Sequence, residues 1–308
     1  ANAERGLHFT RLLRANAACY TRAMQFSNLF VILYCVGTFL SFLLNNFIER
    51  LQYVFRKKYG RDIPPELAPY ITSRDAEKTC AYKDARYRLW VFEYGTSTTL
   101  GAVLLLSGFY PHVFRALKSV FDNPYALTLI FALTVSIPSA VLSLPFEWYE
   151  EFVIEKRFGF SSMTLRLWIA DKLKSFAVAL VVSVLLLSAM TAIFEHVSAW
   201  PFVLASVYVA FSLLMSFIYP RLIAPLFNKF TPLGEGALKS RISDFMERTG
   251  FKSSGVFIMD ASKRSKHSNA YFTGFGKTKR VVLYDTLVEQ LSVDEVGAVL
   301  AHELGHYK

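Results

Sequence analysis

Five stretches of this chain, 23–48, 94–114, 123–146, 175–194 and 197–220, contain no Asp, Glu, Lys or Arg. A helix that crosses a bilayer needs about 20 predominantly apolar residues. Each stretch meets that length, and five of them together leave few soluble architectures open. Composition agrees: 53% of residues are hydrophobic and only 19% charged, against about a quarter charged in a soluble domain. The composition argues against an ordinary soluble globule, and intrinsic disorder is excluded. The third stretch carries Pro124, Pro138 and Pro145, and the fifth carries Pro201. Proline is tolerated in membrane helices where neighbours satisfy the freed carbonyls, so a bundle is expected, not isolated anchors. A secretory signal peptide does not fit the first stretch. Its uncharged run is too long for an h-region, and no small-x-small site follows.

The formal net charge is +10, which in a soluble protein would point to nucleic acid. Its distribution gives another meaning. Of the 34 Lys and Arg residues, 28 fall in the first and third loops and the segment after the fifth stretch. That bias places those segments in the cytosol and the N-terminus on the opposite side. No nucleic-acid partner is expected. Cys19, Cys35 and Cys80 are odd in number and widely spaced. They read as small hydrophobes, neither a disulfide framework nor a metal site.

The loops differ in character. Residues 49–93 mix both signs of charge and include Pro64 and Pro65, and are expected to form a cytosolic helical hairpin extending the first two spans. The third loop places Glu147, Glu150, Glu151 and Glu155 at helical spacing among Trp148, Phe152 and Phe158. An interfacial amphipathic helix with a solvated acidic face is the simpler reading. A polar cavity wall is the functional one. After Pro220 turn residues appear. A helix is expected over 238–249, ended by Gly250, with strands over 255–259, 269–275 and 280–284. The last two strands are joined by a turn containing Gly276 and Lys277. The organisation expected is a membrane domain over 1–224 and a small α+β domain from 225 to 308.

Chemistry concentrates at the end of that domain. Ser292 and Glu295 make a capping box, Asp294 and Glu295 suit a first turn, and Val296, Val299 and Leu300 supply an apolar stripe. On the helix so defined stand His302, Glu303 and His306. Four-residue spacing puts both imidazoles on one face, able to share a zinc ion, with Glu303 placed as the base that takes a proton from the attacking water. The other histidines, His8, His112, His196 and His267, have no partner at ligand spacing. His267 sits in the basic run 263–267 and reads as solvated. A catalytic zinc usually takes three protein ligands, and two are visible. Asp260 or Asp285 upstream could serve, and neither is favoured. The chain stops two residues past His306, so the zinc domain is expected to be incomplete.

Several strings now carry a resemblance. Residues 268–274 (SNAYFTG), 280–287 (RVVLYDTL) and 295–306 look like the integral-membrane type I CaaX prenyl protease family. So do 64–67 (PPEL), 149–155 (YEEFVIE) with 158–160 (FGF), and 224–233 (APLFNKFTPL). The resemblance implies a multi-pass α-helical membrane protein with a small α+β zinc-metalloprotease (gluzincin-like) domain. In the family, seven spans enclose an intramembrane chamber that the zinc site faces. It implies zinc bound by His302 and His306, Glu303 as catalytic base, and Asn269 and Ala270 in an edge strand that pairs with the substrate backbone. An ordinary edge strand would look the same at those two positions. It implies removal of the C-terminal tripeptide of a prenylated CaaX protein or peptide, in some members with a second cut. The place is the endoplasmic reticulum and inner nuclear membranes, in contact with membrane lipid, and the protein is expected to act as a monomer. The family's third ligand, a Glu on a later helix, is not present, nor is a later His expected to steady the oxyanion. Ser161-Ser162 stand where the family often has Asn-Lys. Two rivals differ in class. A membrane-protein quality-control zinc protease is disfavoured by five spans before the motif instead of two. A catalytically inactive membrane scaffold would keep the motif without turnover.

Overall fold

The computed structural model describes residues 29–251, 253–274 and 279–307. The start of the first expected span, Cys19, the end of the 269–275 strand and the turn at Gly276 and Lys277 lie outside the described residues. The chain divides into two compact units at Glu150/Glu151. The boundary expected at 224/225 therefore falls inside the second unit.

The first unit is helical: α1 (Leu29–Tyr59), α2 (Ser73–Leu106), α3 (Phe109–Lys118) and α4 (Pro124–Tyr149). Thr72 and Asp75 form a capping box that starts α2, and Asn123 caps α4 through the N–H groups of Tyr125 and Ala126. Helices α1 and α2 meet in antiparallel order, since Phe42 stacks with Tyr94 and Tyr53 with Tyr87. Farther along, Arg56 and Lys57 of α1 pair with the buried Asp84 of α2, at 2.9 and 2.5 Å. The pair closes at Gly60. A Cβ there would lie 2.4 Å from the Arg56 carbonyl oxygen and 2.7 Å from the Cys80 sulfur, so only glycine fits.

The uncharged stretch 94–114 does not coincide with one helix. Helix α2 stops at Leu106, and Gly108, at φ 76°, takes the left-handed conformation before α3 begins. The membrane-length helix is Ser73–Leu106, whose first half carries the charges of the loop. Apolarity marks where a helix can meet lipid, not where its hydrogen bonds end.

Helix α4 passes into a π-helical turn, Glu150–Glu155, and ends at Phe158. In the second unit, α5 (Leu165–His196) starts at the Thr164 cap, and α6 (Trp200–Ile218) continues through a second π-helical turn, Tyr219–Ile223, to Phe227. Among the described residues, five helices are long and apolar enough to cross a membrane.

Strands β1 (Phe230–Pro232), β2 (Val256–Met259), β3 (Ala270–Thr273) and β4 (Arg280–Tyr284) then form one mixed sheet in the order β1-β2-β4-β3. The β1/β2 and β3/β4 pairs are antiparallel and β2/β4 is parallel. Helices α7 (Ala237–Thr249), α8 (Asp285–Gln290) and α9 (Val293–Tyr307) complete the domain. Alternation along β4 sends Val281 and Leu283 into a core with Ile242 of α7 and Val296 and Leu300 of α9, all at most 1% exposed. Val282 packs on the opposite face with Met259 and Ala261. Both faces of the sheet thus carry buried side chains.

Candidate metal centre

Helix α9 is set by local chemistry. The Ser292 N–H and hydroxyl both donate to the Glu295 carboxylate, at 2.8 and 2.7 Å, and the Glu295 N–H returns to the Ser292 oxygen. These bonds hold the Glu295 carboxyl below the usual range. From there the helix is unbroken to Tyr307. Val296, Leu300 and Leu304 recur every four residues and are buried in the core. Position 302 lies on the opposite side of the helix and is exposed, and Glu303 between them is half-buried. Positions 302 and 306 are one turn apart on one face. The His306 side chain lies outside the described residues.

Two imidazole donors at that spacing, with the first exposed on a rigid capped helix, fit two ligands of a zinc ion. Among the described residues, no group of three or more His, Cys, Asp or Glu side chains could hold a metal. The two upstream carboxylates considered as a third ligand are committed elsewhere. Asp285 accepts from the Ser262 N–H and hydroxyl and from the Thr286 N–H. Asp260 accepts from the Lys229 N–H and the Lys263 ammonium, both at 2.6 Å. Burial would raise the Asp260 carboxyl, but those two bonds outweigh it and hold the group below its ordinary value.

Helix α9 packs against β3, one of the two edge strands. The Tyr284 N–H donates to the Asn269 carbonyl at 3.0 Å. In an antiparallel ladder with that register, Tyr271 and Thr273 also face β4, and the N–H and C=O of Ala270 and Phe272 point to the free edge. The Ala270 N–H is held by the Asn269 side-chain oxygen at 2.9 Å. Ala270 itself is 2% exposed and its methyl belongs to the core. Burial, with Tyr284 and Tyr219 nearby, pushes Tyr271 up to about 12, so it stays neutral.

The segment leading into β3 is tied down in a way the sequence did not suggest. Arg264 makes a two-pronged contact with Asp171 of α5, Nε to Oδ2 at 2.7 Å and Nη2 to Oδ1 at 3.1 Å, and donates to Asn228 at 3.1 Å. The Ser162 N–H donates to the Arg264 carbonyl and the Lys266 N–H to the Phe160 carbonyl. His267 stacks on Phe160, ring centroids 4.5 Å apart, and meets Glu155 at 3.2 Å. The basic run 263–267 is therefore not simply solvated, and His267, though half exposed, has partners. Nor is the acidic loop a solvated face. Glu151 accepts from the Ser161 hydroxyl at 2.5 Å, and Glu150 pairs with Arg86 at 2.8 Å. A π-helical turn bonds i to i+5, which shifts these carboxylates out of the phase that α-helical spacing assumes.

Comparison with known proteins fits this architecture. The family model described as CAAX prenyl protease N-terminal, five membrane helices, matches residues 50–229, and that of peptidase family M48 matches residues 232–308. CAAX prenyl protease 1 of Saccharomyces cerevisiae is 35% identical over 268 residues, 82% of this chain and 59% of that protein. The Arabidopsis thaliana homolog is 37% identical, covering 80% of this chain and 60% of that protein. For the Homo sapiens homolog the figures are 36%, 80% and 61%. The chain thus spans 59% to 61% of the length of these curated relatives. The crystal structure of S. mikatae Ste24p aligns with a TM-score of 0.81 at 34% identity, covering 88% of this chain and 65% of that one. With five membrane-length helices, a small sheet domain and both family models end to end along it, the chain belongs to the CAAX prenyl protease family of M48 peptidases.

Proposed function

We propose that this protein is a zinc-dependent endopeptidase that removes the C-terminal tripeptide of prenylated CaaX proteins. The observation that carries the reading is the capped helix α9, which presents His302, Glu303 and position 306 beside the edge strand β3. His302 and His306 would hold the zinc ion. When bound, zinc supplies Lewis acidity that makes water nucleophilic near neutral pH and polarises the scissile carbonyl.

The chain's own residues do the rest. A substrate strand adds to the free edge of β3, where Ala270 and Phe272 offer their backbone groups. To admit it, the Asn269 side chain releases the Ala270 N–H that it now holds. Glu303 then takes a proton from the attacking water and returns it to the leaving amine. The prenyl group meets an apolar helical surface, since Leu173, Leu185 and Leu213 are each more than half exposed. The basic bias of the loops supports a cytosol-facing catalytic domain. An endoplasmic reticulum and inner nuclear membrane location, and action as a monomer, complete the proposal.

The test is cleavage of farnesylated and non-prenylated CaaX peptides by the purified protein and by Glu303→Gln. The wild type is expected to prefer the farnesylated peptide and to lose activity to a chelator. The variant is expected to lose about 10²–10⁴-fold in kcat while its zinc content by elemental analysis stays unchanged. Turnover by Glu303→Gln near the wild-type rate refutes the assigned base, and equal cleavage of both peptides refutes the assigned substrate class.

A further inference from the structure

The second unit holds a groove of about 500 Å³ that the peptidase reading does not use. It lies where the fifth membrane-length helix, Trp200–Phe227, gives way to β1, and Leu226, Lys229, Phe257, Asp260, Lys263 and Arg280 contribute to its walls. Three of those side chains are cationic and one is acidic. Asp260 is bound to the Lys263 ammonium and to a backbone N–H, so the three cations and one acid sum to a net charge of +2, and the Lys263 ammonium keeps N–H donors beyond the one given to Asp260. Among the described residues, neither Lys229 nor Arg280 is within ion-pair distance of a carboxylate.

The arrangement of these cations is specific. The Arg280 guanidinium lies over the Phe257 ring, 5.2 Å from its centroid. A guanidinium set over a ring face is positioned without an anionic partner, and its N–H donors suit a phosphate. Lys229 is exposed beside it. The depth is specific too. The groove begins with the last residues of a membrane-length helix, and Leu222 and Leu226 on that helix are 64% and 51% exposed. Leu226 is itself part of the groove wall, so apolar helix surface runs into the cationic groove. The loop-charge bias puts this end of the helix on the cytosolic side, whose leaflet carries the anionic lipids.

We propose that this groove binds the phosphate of an anionic phospholipid headgroup, with Lys229, Lys263 and Arg280 as its ligands and the acyl chains running back past Leu226 and Leu222. Chelating the headgroup between the end of the helix and β1 would fix the depth at which the sheet domain rides on the bilayer. The site is separate from helix α9 and does not depend on its chemistry.

The experiment uses the full chain in nanodiscs of phosphatidylcholine alone or mixed with phosphatidylserine, with protein-bound lipid quantified by mass spectrometry. Wild-type protein is expected to enrich phosphatidylserine over phosphatidylcholine. The double variant Lys229→Gln/Lys263→Gln, at two exposed positions, is expected to lose about tenfold of that enrichment. A control, Lys239→Gln/Arg248→Gln on α7, removes the same charge outside the groove and is expected to keep it. Equal losses in both variants would mean diffuse attraction and overturn the site. Unchanged enrichment in Lys229→Gln/Lys263→Gln would overturn it as well. Inorganic phosphate added to the nanodiscs is expected not to displace the lipid. Displacement at millimolar phosphate would reassign the groove to free phosphate and overturn the lipid.

Discussion

Replacing Arg264 by Met should be among the most damaging single changes in the second unit. The guanidinium makes two charge-assisted bonds to Asp171 and one to Asn228. Both side chains of the ion pair are mostly out of water, at 18% and 16% exposure. With Arg264 gone, the cation left near Asp171 among the described residues is Lys174, 3.8 Å away on its own helix. Leaving one charge of a buried pair uncompensated costs about 3–5 kcal/mol. The residual exposure argues for the lower end, about 3 kcal/mol. For a unit of this size that is a fall of about 6–12 °C in melting temperature. Lys at 264 keeps the charge but not the fork, and should recover about half. Removing both charges, Arg264→Met with Asp171→Leu, should cost far less than the sum of the single changes, because no orphan charge remains. The assay is thermal unfolding of the purified protein in detergent, run as a double-mutant cycle. Additive losses would refute the argument, since they would mean that the two side chains do not act on each other.

Two further outcomes follow from local chemistry. Ser292→Ala removes the hydroxyl that both donates to Glu295 and accepts from its N–H. It should cost about 1 kcal/mol and speed amide exchange at residues 293–296 while leaving β4 protected, and equal exchange there would deny the cap its role. Asp260 titrates below its ordinary value in the folded protein, so its contribution is present above the unfolded pKa of about 3.9 and is lost as pH falls through the folded one. The melting-temperature gap between wild type and Asp260→Asn should therefore stay flat from pH 7 to about 5 and narrow below about 4. A gap that widens on acidification would reverse the assigned sign.

What the sequence makes legible here is what is encoded locally. The bounds of β4 follow from the apolar run Val281–Tyr284 between basic residues and Asp285, and the expected strand over 280–284 is the observed one. Helix α9 announces itself through a cap and an apolar stripe within fifteen residues, and α7 through its periodicity and Gly250. Strand β1 is three residues ending in Pro232, too short to show a period, and it exists because β2 offers it an edge. The π-helical turns carry no sequence period of their own, so the acidic run at 147–155 read as α-helical and its carboxylates as solvated. Arg264 was missed for a related reason. Its partner Asp171 is 93 residues away, and nothing in the string KRSKH marks which basic residue makes that distant contact. The same separation explains which half of the candidate site was visible. The histidine pair needs only one helix to be assembled, so spacing alone exposes it. The segment leading into the strand beside it is held by contacts from Glu155 and Phe160 and from Asp171 of α5, all about a hundred residues earlier in the chain. Candidate ligands that share a helix can be read from a sequence, whereas the tether on the segment before the neighbouring strand is a property of the fold.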